Sequence, residues 1–156
     1  MSHLRQSTTR NRILRAMAPE DLARLQPHLD PLPPQLREVP ISPYTPVDEL
    51  FFIESGMVSI STAHNERRIE VGLVGSEGLV GAVPVALDCL STPQGYFVRL
   101  SGEGLSIGRD PLCAAIGESP ALRRRIELLD RARLLVLTNG RHGTPEGEYA
   151  RLIEGA

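Results

Sequence analysis

Three glycines spaced three residues apart, with one acid between them, form the segment of this chain best suited to chemistry. Gly75, Gly78 and Gly81 could leave backbone N–H groups free to cradle an anion. Glu77 could then be the acid of a ligand pocket. The alternative is structural: such glycines make turns that let a barrel close, and an acid flanked by glycines is a solvated turn residue. The sequence leaves both interpretations open.

Nucleophilic, redox and metal chemistry have little support. Cys89 has no cationic neighbour in sequence that would lower its pKa, and Cys113 lies in an apolar segment typical of core. Two cysteines cannot form a four-thiolate site. The four histidines are scattered along the chain at His3, His28, His64 and His142. We therefore predict no catalytic residue and no metal site; a cupin-like enzyme, which clusters histidines on its strands, is the least favoured alternative.

Composition narrows the classes of protein further. The chain has 156 residues and a net charge of −2, which suits one domain without general attraction to nucleic acid. All 17 basic residues are arginine, so Walker-type phosphate binding and lysine Schiff bases are excluded. No apolar run approaches the length of a membrane span, and the basic amino terminus has no apolar stretch typical of a signal peptide. We expect a cytoplasmic protein that does not contact membranes.

The pattern of apolar residues changes twice along the chain. The apolar residues between positions 11 and 29 have nearly helical spacing, which predicts two short helices. Pro19 followed by two acids predicts the start of the second. From residue 36 to 107 the period is two, with turns rich in glycine and polar residues. The strands predicted from it centre on residues 39–41, 50–53, 57–60, 69–73, 83–87, 96–100 and 105–107. After Gly108 helical signals return, and Ser119-Pro120 predicts a long helix.

This order predicts a mainly β fold with flanking helices: an antiparallel β-barrel, or jelly roll, followed by a long carboxy-terminal helix. Three segments add motifs: residues 11–14 (NRIL), 50–59 (LFFIESGMVS) and 70–81 (EVGLVGSEGLVG). They resemble the sensor domain of the Crp/Fnr family of bacterial transcription regulators, over about residues 11–138. The resemblance implies a cyclic-nucleotide-binding-like barrel whose glycine-rich loop is the phosphate cassette.

The cassette departs from the pattern of the nucleotide-binding members. Gly81 matches the first glycine, but Ala82 stands where the resemblance implies a glutamate for the ribose. Gln94, beside Gly95, stands where it implies an arginine for the phosphate, and Arg99 is the nearest arginine, of uncertain direction. A neutral amide replaces a bidentate cation. We therefore expect no cofactor and weak or absent cyclic-nucleotide binding, although the same loop could take an unidentified small effector.

The predicted long helix, residues 119–138, carries one apolar stripe. Its members are Leu122, Ile126, Leu129 and Val136. The stripe could pack on the barrel or on a second copy of itself. A barrel with its core already filled has little else to cover the stripe, so we predict a homodimer through it. The arginines of this helix favour a solvated face or pairing across the dimer over nucleic-acid binding.

We divide the chain into a flexible leader (1–10), the sensor domain (11–139) and a loose tail (140–156). Members of the family continue into a helix-turn-helix domain, for which the residues after Asn139 are too few, so we expect DNA contact only where such a domain is supplied. The predicted function is a non-enzymatic regulatory sensor module. This function predicts a small-ligand pocket. The alternative is a stand-alone protein-interaction or dimerisation module, which predicts an exposed apolar stripe on the helix and a filled barrel.

Overall fold

The computed structural model describes residues 5–32, 41–82, 85 and 90–126, and it shows two antiparallel sheets flanked by short helices. The helices are α1 (Arg12–Ala16), α2 (Pro19–Leu25) and α3 (Arg109–Glu118), with a 3-10 turn at Gln26–His28 and further helical residues at 120–126. The strands are β1 (Asp30–Pro31), β2 (Glu49–Ile53), β3 (Met57–His64), β4 (Arg67–Val74), β5 (Leu79–Val80), β6 (Gly95–Leu100) and β7 (Gly104–Gly108).

The strands form two layers. One sheet has the order β1-β7-β2-β5 and the other the order β4-β3-β6, and all the pairs are antiparallel. Neighbours in each sheet are not all neighbours in sequence, since β7 returns to lie between β1 and β2. The predicted class, mainly β in a jelly-roll arrangement with flanking helices, is confirmed.

Alternation along the strands divides the core in two. In β2, Ile53 faces the space between the sheets, whereas Leu50 and Phe52 face the helices. The cluster between the sheets is the barrel interior: Ile41, Val47, Ile53, Val58, Ile60, Val74, Val80, Tyr96 and Val98. The helix-side cluster includes residues from every helix and from the first sheet, among them Leu14, Leu22, Leu105, Ile107 and Leu112. Each of these buried side chains contributes about 1.5–3 kcal/mol of hydrophobic free energy.

Most of the predicted elements lie where the sequence indicated. The predicted helix start at Pro19 is confirmed, with Glu20 and Asp21 in the first turn of α2. The expectation that Cys113 is a core residue is wrong: Cys113 is exposed, because α3 turns Leu112 and Ala115 toward the core instead. One predicted strand, residues 83–87, is wrong where it can be checked, because Ala82 and Val85 are helical. Ala82 and Val85 both contact the helix-side core. The prediction failed because a short apolar run can be buried either as a helical turn or as a strand. The remainder of that run lies outside the described residues.

Candidate functional site

The glycine-rich loop begins as a tight turn between β4 and β5. The N–H of Gly78 donates to the carbonyl of Gly75 at 3.1 Å, which closes the turn. The N–H of Arg12 donates to the carbonyl of Ser76 at 2.8 Å, so the start of α1 also holds the turn. The loop is therefore positioned by its own turn and by the amino-terminal helix.

Asn11 is the residue that joins these parts. Its side-chain oxygen accepts hydrogen bonds from the N–H groups of Ile13 (3.0 Å) and Leu14 (3.3 Å), and so caps α1. Its amide nitrogen donates to the carbonyl of Ile53, at the end of β2, and to the carbonyl of Gly78, each at 2.9 Å. Asn11 is fully buried. The NRIL segment carried part of the resemblance, but nothing in the sequence alone showed that its asparagine reaches the glycine loop.

Glu77 serves the turn itself. Its Oε1 accepts a hydrogen bond from the N–H of Gly75 at 2.8 Å. Its Oε2 lies 2.8 Å from the point where a Cβ on Gly75 would stand. The carboxylate of Glu77 thus accepts the hydrogen bond from an N–H group that a bound anion would need. Its negative charge would also repel an anion at this turn.

Gly81 and Ala82, later in the loop, both pack closely against apolar side chains. Gly81 has φ +92°, and a Cβ there would lie 3.0 Å from Cδ1 of Ile41 and 3.3 Å from Cγ of Leu50. Only glycine meets both conditions without strain. Ala82 is 2% exposed and belongs to the helix-side apolar cluster. Position 82 therefore directs its side chain into the core, where an ionised acid would be destabilised.

Gln94 and Gly95 lie at the other end of the loop. The backbone N–H of Gln94 donates to Oγ1 of Thr92 at 3.2 Å, and the Thr92 hydroxyl donates to the side-chain oxygen of Gln94. The half-buried Gln94 is thus held by a local turn. Gly95 is buried, and a Cβ there would lie 3.2 Å from Pro43 and 3.6 Å from Oγ of Ser61.

Arg99 belongs to a different network, on the exposed face of the three-stranded sheet. Its Nη2 and Nε donate to Oε2 of Glu70 at 2.6 and 3.0 Å, and its guanidinium lies 5.3 Å from the centre of the Phe97 ring. The hydroxyl of Ser59 donates to the same oxygen of Glu70 at 2.6 Å. The Ser59 hydroxyl and the Arg99 guanidinium lower the pKa of the Glu70 carboxyl, so Glu70 is ionised at neutral pH.

The segment before β2 contacts both ends of the loop, a feature that periodicity could not show. Tyr44 N–H donates to the carbonyl of Thr92, and Val47 N–H to that of Leu90, at 2.8 and 2.7 Å. The outer side of this segment lines an open cleft of about 470 Å³. Its lining residues are Ile41, Ser42, Thr45, Pro46, Val47, Asp48, Glu49 and Phe51.

The predicted dimer stripe is only partly within the described residues. Leu122 and Ile126 are 1% and 2% exposed and belong to the helix-side core of their own chain. The N–H of Leu122 donates to Oγ of Ser119 at 3.2 Å, which confirms the predicted helix start at Ser119. Leu129 and Val136 lie outside the described residues, so dimerisation through this helix stays a prediction.

The arrangement of the two sheets is shared with solved structures. CLP, the c-di-GMP responsive global regulator of Xanthomonas campestris, matches with a TM-score of 0.65 and 21% identity. The catabolite activator protein of Thermus thermophilus matches with a TM-score of 0.64 and 18% identity. Each match covers 78% of this chain. The fold is that of a cyclic-nucleotide-binding domain.

The same cyclic-nucleotide-binding fold occurs in kinase regulation. The regulatory subunit of a cAMP-independent protein kinase A from Trypanosoma cruzi, bound to guanosine, matches with a TM-score of 0.66 and 11% identity over 93% of this chain. This chain spans 61%, 57% and 46% of the lengths of the three matched chains, in the order given. No protein-family model and no curated protein matches it. In the described part of the chain no helix is long and apolar enough to cross a membrane.

Proposed function

We propose that this chain is a non-enzymatic regulatory sensor module whose cassette no longer takes a cyclic nucleotide. The observation that carries the proposal is that each key side chain of the cassette is already buried in, or hydrogen-bonded to, the rest of this chain. Ala82 is buried in the apolar core, Gln94 is bonded to Thr92, and Glu77 occupies the N–H of Gly75. The matched proteins, two regulators and a kinase regulatory subunit, favour a regulatory role over a catalytic one.

The barrel interior supports the part of this proposal that concerns cyclic nucleotides. Ile60, Val80 and Tyr96 are each at most 2% exposed, and Gly72 lies against Ile60, whose Cδ1 would be 3.5 Å from a Cβ on the glycine. A ribose phosphate placed among these side chains would lose its hydration without gaining a cation, a loss of several kcal/mol. An effector of this module is therefore better sought among uncharged molecules.

A second candidate function is a protein-interaction module, and one observation favours it. Three large apolar side chains, Met57, Leu73 and Leu100, are 37%, 49% and 60% exposed on the three-stranded sheet, while the barrel interior is filled. An exposed apolar patch is typical of a surface that recognises another protein. In either case we expect DNA contact only in company with a helix-turn-helix domain.

Calorimetric titration with cyclic AMP tests the first proposal. We expect cyclic AMP to bind no more tightly than adenosine, because the phosphate finds no cation in the cassette. The two missing charge-assisted contacts correspond to a loss of about two to four orders of magnitude in affinity. Binding of cyclic AMP at micromolar concentration, with adenosine at least 100-fold weaker, would contradict the proposal.

A rebuilt cassette provides the matched control. The double variant Ala82→Glu with Gln94→Arg restores both residue types that the resemblance implies. We expect any gain in affinity for cyclic AMP over adenosine to come from Gln94→Arg, because the side chain at position 82 points into the apolar core. Circular dichroism checks that the double variant stays folded. Gln94→Arg alone tests the phosphate contact without placing an acid in the core.

A further inference from the structure

Strand β4 is an exposed edge of the three-stranded sheet. In the described part of the chain it pairs only with β3, in the sheet order β4-β3-β6. Residues 67–70 are all exposed, and Ile69 is 45% exposed. An edge strand of this length presents unpaired backbone N–H and C=O groups to another strand.

The hairpin turn determines which backbone groups point outward. Asn65 and Glu66 both have positive φ, 48° and 65°, as in a two-residue type I′ turn. Such a turn is closed by a hydrogen-bonded pair, here His64 with Arg67. Because bonding alternates along an antiparallel strand, Arg67 and Ile69 bond to β3, and the backbone groups of Arg68 and Glu70 point away from the sheet.

Charge selects one register for a second copy of the same strand. Two β4 strands related by a two-fold axis can pair these outward residues in three ways. Placing Arg68 opposite the partner's Arg68, or Glu70 opposite the partner's Glu70, sets like charges against each other. Placing Arg68 opposite the partner's Glu70 gives two attractive pairs at once, with Ile69 facing the partner's Ile69 on the axis.

Contacts within the chain already hold the Glu70 carboxylate in place for an ion pair with the partner's Arg68, in addition to its pair with Arg99. The bonds from Ser59 and from Arg99 all reach its Oε2, at 2.6 to 3.0 Å, and they fix the carboxylate in place. The lowered pKa of Glu70 keeps it ionised. A fixed and ionised carboxylate loses little side-chain entropy when the partner's Arg68 approaches Oε1.

We propose that two copies of this chain associate by antiparallel pairing of their β4 edges, centred on Ile69, with Arg68 of each copy against Glu70 of the other. This surface is separate from the cassette, and the inference does not rest on the proposed function. The partner is a second copy because the same short strand carries both complementary charges in a two-fold arrangement.

A charge exchange tests the pairing by sedimentation at 1–200 µM and low salt. Arg68→Glu alone, or Glu70→Arg alone, turns both attractive pairs into repulsive ones, and we expect each to weaken dimerisation by about 30-fold. An equimolar mixture of the two variants restores opposite charges across the axis, so we expect heterodimers that are clearly tighter than either homodimer. Their affinity stays below the original, because Glu70→Arg removes the contacts with Ser59 and Arg99. Arg67→Glu is the matched control: it changes the net charge equally but faces no charge of the partner, so its effect should be small.

The outcomes separate this interface from the helix stripe. Dissociation by Arg68→Glu, with recovery in the mixture, supports the β4 pairing. A monomeric natural chain at 200 µM, or a dimer that is dissociated by Leu129→Arg and indifferent to Arg68→Glu, would overturn it. Circular dichroism of each variant verifies that the sheet is intact. The cyclic AMP titration tests the proposed function only, so its result does not affect the β4 pairing.

Discussion

Replacing Asn11 with alanine is expected to lower the free energy of unfolding by about 4 kcal/mol, since one side chain satisfies four backbone groups. The substitution removes the cap from the N–H groups of Ile13 and Leu14. It also leaves the carbonyls of Ile53 and Gly78 without their amide donor in a buried place. Loss of a cap costs about 1 kcal/mol, and each buried group left unpaired costs about 1–3 kcal/mol.

Urea unfolding of three variants separates these contributions. Asn11→Ser keeps an oxygen that can cap α1 but cannot reach the two carbonyls, so we expect most of the loss to remain. Thr8→Ala removes only an exposed hydrogen bond to the carbonyl of Arg5 and should change stability by less than about 0.5 kcal/mol. A loss below about 1 kcal/mol for Asn11→Ala would show that Asn11 does not join α1, β2 and the glycine loop.

Gly102→Ala is expected to have the larger effect and to prevent cooperative folding at 37 °C. A Cβ on Gly102 would lie 2.2 Å from the carbonyl oxygen of Ser55 and 2.7 Å from the nitrogen of Gly56. Both atoms belong to backbone that cannot rotate away. Ser55 N–H and the Ser55 hydroxyl also join this turn to Glu103, at 3.0 and 2.9 Å, so relief of the collision breaks these bonds.

Gly117→Ala is the matched control for that substitution. Gly117 lies in the exposed part of α3, and a Cβ there has nothing within 4 Å. Alanine in a helix interior is more stable than glycine by about 0.5–1 kcal/mol. Gly117 lies in the last turn of α3, where this advantage is smaller, so we expect at most a small rise in the thermal midpoint. Similar thermal midpoints for Gly102→Ala and Gly117→Ala would contradict the close contact of the two turns.

The period of the apolar residues was sufficient to predict most of the strands, because the burial of one face sets the local pattern of a strand. The helix starts at Pro19 and Ser119 were predicted from proline, acidic and capping residues. The period does not predict which part of the protein packs against the apolar face of a helix. Leu122 and Ile126 lie on an apolar stripe, as predicted, but they pack into their own domain. A stripe looks the same whether its partner is the barrel or a second chain.

The cassette shows the same limit at single residues. Glu77 and Gln94 were named as candidate pocket residues from their types and neighbours. Their actual partners, the N–H of Gly75 and the hydroxyl of Thr92, lie only two residues away. Whether a polar side chain turns toward its own backbone or toward a ligand depends on local torsion angles, which residue type does not determine. The sequence did not reveal that Asn11 joins α1, β2 and the glycine-rich loop, because its partners are 42 and 67 residues away.

The filled barrel interior has a kinetic consequence. An effector that binds between the sheets has to wait until side chains such as Ile60 and Val80, each at most 2% exposed, move apart. Association is then limited by the rate of opening and not by diffusion. The observed rate constant in stopped-flow mixing would level off at high effector concentration, at a value that belongs to the protein and is the same for every effector.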